Sequence, residues 1–212
     1  MSKNKPEAVV LIHGLFMNGW DMSLLRSRLK NAGYTTHQFS YSSTSTNIDL
    51  IVDDLWDFVK KIDAETIHYV AHSLGGLVIR HFLHSYPDVP PGRIVTLGSP
   101  HNGSDAARFL NQFDLTSMIM GESLNTGLLG NAPDWKNKRE LGSIAGDVGL
   151  GMGKLFSGLE EPNDGTVSVK ETILENSTDH IQLSVSHTGL LLSKRTADLI
   201  LNFLKQGKFT KN

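Results

Sequence analysis

Short apolar runs alternate along this chain with segments of helical period, and that alternation limits it to a mostly parallel sheet covered by helices on both faces. Ala8 to Ile12 is an apolar run suited to a strand buried on both sides. Trp20 to Ala32 reads as a helix with Leu24, Leu25 and Leu29 on one side and Gly33 as its stop. Thr35 to Tyr41 alternates like a second strand. Ile48, Val52, Leu55, Val59 and Ile62 recur at three- and four-residue steps, the mark of an amphipathic helix.

Ile67 to Ala71 is the third strand, Leu74 to Ser85 a helix ending ahead of Pro87, and Ile94 to Leu97 the fourth strand. The pattern weakens from Asp105 to about Glu140, where Leu115, Met118, Ile119, Met120, Leu128 and Leu129 are scattered among Gly, Asn and Pro. Ile144 and Ala145 predict a short fifth strand, His180 to Val185 the last strand, and Leu190 to Leu204 a closing helix. A chain of 212 residues is expected to form one domain, 1–212.

The segment Ala71-His72-Ser73-Leu74-Gly75-Gly76 lies where a strand gives way to a helix. A serine hydroxyl is a poor nucleophile unless it is exposed, aligned with a base and set beside donors for a developing oxyanion. A tight strand-to-helix turn provides that exposure, and it needs small residues two positions to either side because the two backbones nearly touch. Gly75 supplies one, and Ala71 stands in for the usual glycine at the other. A helix N-terminus behind Ser73 also aims free N–H groups at an anion. The structural alternative is that Ser73 only caps the helix.

A second oxyanion donor is expected from the loop after an earlier strand, and His13-Gly14-Leu15-Phe16 follows the first one. Gly14 permits the backbone to turn an amide inward. The donors are expected to be the amides of Leu15 and Leu74, with Phe16 as the alternative to Leu15, and His13 is expected to be structural. The base is expected to be a histidine after the last strand, and His187 occupies that position. His72 shares the turn with Ser73 and cannot easily approach its hydroxyl. His81 and His84 have a metal-compatible spacing but no Asp, Glu or Cys to complete a site, so no metal is expected. The acid that orients the base should lie between the fifth strand and His187, and both Asp147 and Asp164 qualify.

Taken together, these residues resemble the α/β-hydrolase superfamily, in its compact bacterial lipase and esterase branch. The resemblance runs from about Ala8 to Leu204 and rests on five segments. These are His13-Gly14-Leu15, the Ser73 turn, Gly98-Ser99-Pro100-His101-Asn102-Gly103-Ser104, Asn163-Asp164-Gly165, and His187 through Leu191. It implies an α/β-hydrolase fold with a small cap or lid inserted at about 105–140, and Asp164, in its Asn-Asp-Gly turn, as the acid. It also implies cleavage of carboxylic esters through an acyl-enzyme, without a cofactor, on a small-molecule ester or lipid. An acyltransferase or thioesterase would use the same residues, and a non-catalytic scaffold would have lost some of them.

Composition narrows the remainder. A formal net charge of -2 gives no electrostatic case for nucleic acid or an anionic membrane. Cysteine is absent, which excludes disulfides and thiol catalysis. No leader and no apolar stretch of about 18 residues is visible, so the default expectation is a cytoplasmic protein without stable membrane insertion. Gly149 to Lys154 is glycine-rich but fails as a phosphate loop, since Leu155 and Val148 stand where Ser or Thr and an earlier Gly are required. Oligomeric state has no signature.

Overall fold

The computed structural model describes residues 6–110, 126–136, 138–149 and 160–210. Its sheet is formed by β1 (Ala8–Ile12), β2 (Thr35–Phe39), β3 (Ile67–His72), β4 (Ile94–Leu97), β5 (Leu141–Gly146) and β6 (Asp179–Leu183). The strands lie in the order β2-β1-β3-β4-β5-β6, and every pairing between neighbours is parallel. The helices are α1 (Ser23–Asn31), α2 (Ile48–Val59), α3 (Leu74–Ser85), α4 (Asp105–Leu110), α5 (Gly189–Leu192) and α6 (Lys194–Gln206).

Alternation along β1 shows how the two cores arise. Ala8, Val10 and Ile12 pack with Val52 and Leu55 of α2 and with Val78, Ile79 and Phe82 of α3. Val9 and Leu11 point the other way, onto Leu25 and Leu29 of α1 and Leu199, Ile200 and Phe203 of α6. Successive side chains of a strand face opposite sides, so a run apolar at every position has helices on both faces. Burial of each valine, leucine or isoleucine of the strand contributes about 1.5–3 kcal/mol before entropy is counted.

Several boundaries differ from the sequence expectation for local reasons. The predicted helix at Trp20 begins as a short 3-10 turn, Gly19–Met22, capped by Asn18, before α1 proper. Within it Met22 is buried while Leu24 is 43% exposed, so Leu24 is not part of the apolar side. The closing helix is split at Ser193, which is extended and whose hydroxyl accepts from Thr196 N–H to start α6. Strand β5 is longer than expected because Leu141 and Gly142 also pair with β4. Gly142 evades the alternation signal, since its missing side chain makes room for Phe203 and Phe209.

Direction along the sheet reverses between β1 and β3: from β1 the chain builds outward to β2, then crosses back to β3 and onward to β6. In open parallel sheets, ligand sites form at the carboxyl ends of strands beside such a switch point. The loops after β1 and β3 meet there. The middle of the predicted cap, 111–125, falls outside the described residues, and with it Leu115, Met118, Ile119 and Met120. The Leu150 to Lys154 part of the glycine-rich segment does so as well.

Candidate active site

The turn between β3 and α3 is built around a strained backbone. Ser73 has φ 52° and ψ -123°, a conformation rare for any residue with a side chain. It is held by Ser73 N–H donating to Leu97 O at 2.9 Å and by Gly76 N–H donating to Ser73 O at 3.0 Å. Ser73 precedes α3, yet its hydroxyl makes no capping hydrogen bond to the helix. The capping alternative therefore fails, and the hydroxyl faces a cavity instead.

Small residues around the turn have the expected reason. A Cβ on Gly75 would lie 2.6 Å from Ile12 O and 2.7 Å from His13 O, so α3 can start this close to β1 only without one. Gly14 is the reciprocal contact, because a Cβ there would sit 2.9 Å from Ser73 Cβ. Ala71 is fully buried between β1 and β4, where its single methyl group fits.

His13 is structural, as expected. Its Nε2 accepts from Tyr41 N–H at 3.2 Å, so Nδ1 carries the proton and donates to Gly14 O at 2.9 Å. Its ring stacks on Tyr41 with centroids 4.5 Å apart, and burial holds its pKa below the ordinary range. Fixing the Gly14 carbonyl also fixes the orientation of Leu15 N–H, since the two belong to one planar trans peptide. Phe16 N–H donates to Ser43 Oγ at 3.2 Å. Among the described residues, neither Leu15 N–H nor Leu74 N–H has an acceptor. Of the two amides considered after β1, only that of Leu15 is therefore free to receive a ligand.

Asp164 and His187 are joined twice. His187 Nδ1 lies 2.7 Å from Asp164 Oδ2, and His187 N–H donates to Asp164 O at 2.9 Å. The second carboxylate oxygen accepts from Thr166 N–H at 3.0 Å and Val167 N–H at 2.8 Å. Asp164 has no solvent exposure, so it depends on these donors. An ionised carboxylate only accepts, which puts the His187 proton on Nδ1 and leaves Nε2 bare. Asp147, the competing acid, instead accepts from Gln182 Nε2 at 2.7 Å on the surface.

Gly98 is the contributor that the sequence reading did not single out by itself. It has φ 55°, and a Cβ there would meet Asp164 Oδ2, His187 Nδ1 and Leu190 Cδ1, each at 3.0 Å. Its place at the end of β4 in the Gly98-Ser99-Pro100 segment was the available signal. His72 was also undervalued: its ring centroid is 4.6 Å from that of His187, and its Nε2 lies 3.2 Å from His187 O.

Ser73, His187, Leu15 and Leu74 line one cavity of about 370 Å³. Phe16, Met17, Pro100, Ala107, Leu128 and Val167 make its walls mostly apolar, with Asp164 buried directly behind His187. Leu128 was one of the predicted cap residues that could line such a pocket; Leu129 is 39% exposed and is not among the residues lining it. His81 and His84 gather no third ligand, and no group of three metal-ligating side chains occurs among the described residues.

The fold is that of the α/β-hydrolases. It superposes on the mature form of a Bacillus licheniformis lipase with a TM-score of 0.70, covering 98% of this chain and 95% of that one at 20% identity. A carboxylesterase structure from the thaumarchaeon Nitrososphaera gargenis gives 0.66, with 98% and 93% covered at 12% identity. Within this superfamily the chain belongs to the palmitoyl protein thioesterase family, which it matches over residues 8–137. Ethanol acetyltransferase 1 of Eremothecium cymbalariae is 23% identical over 152 residues, which is 67% of this chain and 41% of that protein. The chain thus spans about two fifths of the length of that curated relative. No helix among the described residues is long and apolar enough to cross a membrane.

Proposed function

We propose that this protein is a serine hydrolase that cleaves carboxylic esters through an acyl-enzyme, with Ser73 as nucleophile, His187 as general base and acid, and Asp164 as the residue that orients His187. The observation carrying the proposal is the 2.7 Å contact between Asp164 Oδ2 and His187 Nδ1, with His187 opening into the same cavity as an uncapped Ser73 hydroxyl.

The Ser73 hydroxyl proton passes to His187 Nε2 as the oxygen forms a bond to the substrate carbonyl carbon. The carbonyl oxygen becomes an anion and is received by the amides of Leu15 and Leu74. Collapse of this intermediate breaks the ester C–O bond, and His187 returns the proton to the departing alcohol. Water, deprotonated by His187, then attacks the acyl-Ser73 carbonyl, and as the Ser73 Oγ–C bond breaks and the acid departs, His187 returns the proton to Ser73 Oγ. Asp164 stays ionised throughout and stabilises the imidazolium.

The mostly apolar cavity suits the acyl part of a small ester or lipid, and its size favours short or medium chains over emulsified triglyceride. Membership of the palmitoyl protein thioesterase family supports a second reading, in which the same serine takes its acyl group from a thioester. The relative named as an acetyltransferase supports transfer of that group to an alcohol in place of water.

Purified protein offered p-nitrophenyl esters and acyl thioesters of graded chain length, with and without added ethanol, separates these readings by product. Ester turnover should be highest for short and medium chains. Replacement of Ser73 by Ala should remove on the order of three decades of rate or more. Equal turnover by that variant would refute the assignment.

A further inference from the structure

His72 is a buried histidine beside the proposed nucleophile that the acyl-transfer steps above do not use. It is 2% exposed, and its position at the end of β3 brings it against the loop that carries His187. Its Nε2 faces the His187 main-chain carbonyl at 3.2 Å. A carbonyl only accepts, so Nε2 of His72 is the protonated nitrogen and donates. His72 Nδ1 is buried without a hydrogen-bond partner among the described residues, and a Cβ on Gly14 would lie 3.1 Å from it. The imidazole is therefore wedged between the loop after β1 and the loop bearing His187.

The polar groups of His187 can be followed one at a time. Its N–H donates to Asp164 O at 2.9 Å, and its Nδ1 donates to Asp164 Oδ2 at 2.7 Å. Its carbonyl accepts from His72. Nε2 alone is left without a partner among the described residues. Asp164 thus holds the amide and the ring from one side, while His72 holds the carbonyl from the other.

We propose that His72 is a positioning residue for acyl transfer: its Nε2–H anchors the His187 carbonyl and its ring backs the His187 ring, so that His187 Nε2 presents to the Ser73 hydroxyl. The proposal rests on the assignment of Ser73 and His187 given above. Burial, followed by the nearby His187 and His13, holds the His72 pKa well below the usual histidine range. The ring is thus neutral at neutral pH and keeps a single proton for the His187 carbonyl. Proton transfer between serine and imidazole depends steeply on their geometry, and a displacement of about 1 Å can cost about a hundredfold. Loss of the donor would also leave a buried carbonyl without a partner.

The test uses the full chain and three substitutions: His72→Gln, which can still present an N–H; His72→Met, close to Gln in length but without a donor; and His72→Phe, which keeps a ring without one. Active sites are counted with a fluorophosphonate, and kcat and KM are measured per labelled site on a short-chain p-nitrophenyl ester. The Met and Phe variants should lose about tenfold or more in kcat with KM nearly unchanged, and the Gln variant should recover most of that loss. Should Phe prevent folding, the Gln and Met pair decides. Equal kcat per labelled site in the Gln and Met variants would overturn the proposal, as would a loss confined to KM or to thermal stability. A wild-type protein that neither labels nor turns over ester would remove the assignment on which the proposal stands, and the proposal with it. That outcome is distinct from a labelled, active wild type whose kcat is indifferent to position 72.

Discussion

Asp164 grips His187 through both main chain and side chain, at 2.9 Å and 2.7 Å. A side-chain contact alone would let the imidazole pivot about its own backbone. The added main-chain bond fixes the backbone too, so both ring position and tautomer follow from where the Asn163-Asp164-Gly165 turn is placed. That turn is itself set by Thr166 and Val167 N–H groups on the other carboxylate oxygen.

Replacing Asp164 with Asn should therefore keep the shape and lose the chemistry. An amide can present its NH2 to Nδ1 and so favour the wrong imidazole tautomer. A kcat loss of about 10³–10⁴-fold is expected with little change in KM. Asp147→Asn, at the surface beside Gln182, should leave ester turnover unchanged. If the two variants traded places, Asp147 would be the acid.

Gly98→Ala tests the floor beneath this pair. The methyl group would meet Asp164 Oδ2 and His187 Nδ1 at 3.0 Å from a backbone with φ 55°. The variant should lose stability by about 1–3 kcal/mol and lose activity beyond its unfolded fraction. Thermal unfolding and turnover per folded molecule report both. Unchanged values would mean that the loop after β4 has slack.

The two small positions flanking Ser73 should respond differently. Gly75→Ala puts a methyl group 2.6 Å from Ile12 O, displacing α3 from β1 and impairing folding or turnover severely. Ala71→Gly removes only a methyl group, so its cost should be about 1 kcal/mol with the turn retained. Comparing soluble yield and thermal midpoint of the two variants checks the asymmetry. Equal tolerance would count against close backbone approach at Gly75.

Acid should destabilise the fold through its buried histidines. Burial holds the imidazoles of His13 and His72 below the ordinary range and pushes His101 down to about 3. Unfolded, each takes up a proton near the ordinary value of 6.5, whereas the folded chain resists. Stability is thus full above that value and is lost as pH falls toward the folded values. For His101 alone the loss reaches about 2 kcal/mol by pH 5. Urea unfolding at pH 7.5 and 5 should show it, and His101→Asn should flatten the difference. The same pH dependence in that variant would assign the effect elsewhere.

Most of the architecture was legible because parallel strands buried on both faces are largely apolar: Ala8–Ile12 is so throughout, and Ile94–Leu97 is so but for Thr96, whose hydroxyl pairs with His101 Nε2. Boundaries were less legible where one side chain decided them: Ser193 splits the closing helix by capping α6, and Asn18 starts a 3-10 turn that leaves Leu24 outside. The Ser73 turn and the His187 loop could be read from local sequence. Choosing Asp164 over Asp147 from the residues alone could not be done, since only packing tells which carboxylate is buried against His187. Gly98 and His72 escaped for the same reason. Their contacts are to residues of the Asp164 turn and the His187 loop, far along the chain.

The most direct test is covalent trapping. Wild-type protein treated with a fluorophosphonate should gain the mass of one phosphonyl group, located by peptide mapping on Ser73. Replacing His187 with Ala should slow that labelling by about three decades while the fold persists. Folded wild-type protein that stays unlabelled, or carries the group on another residue, would contradict the account.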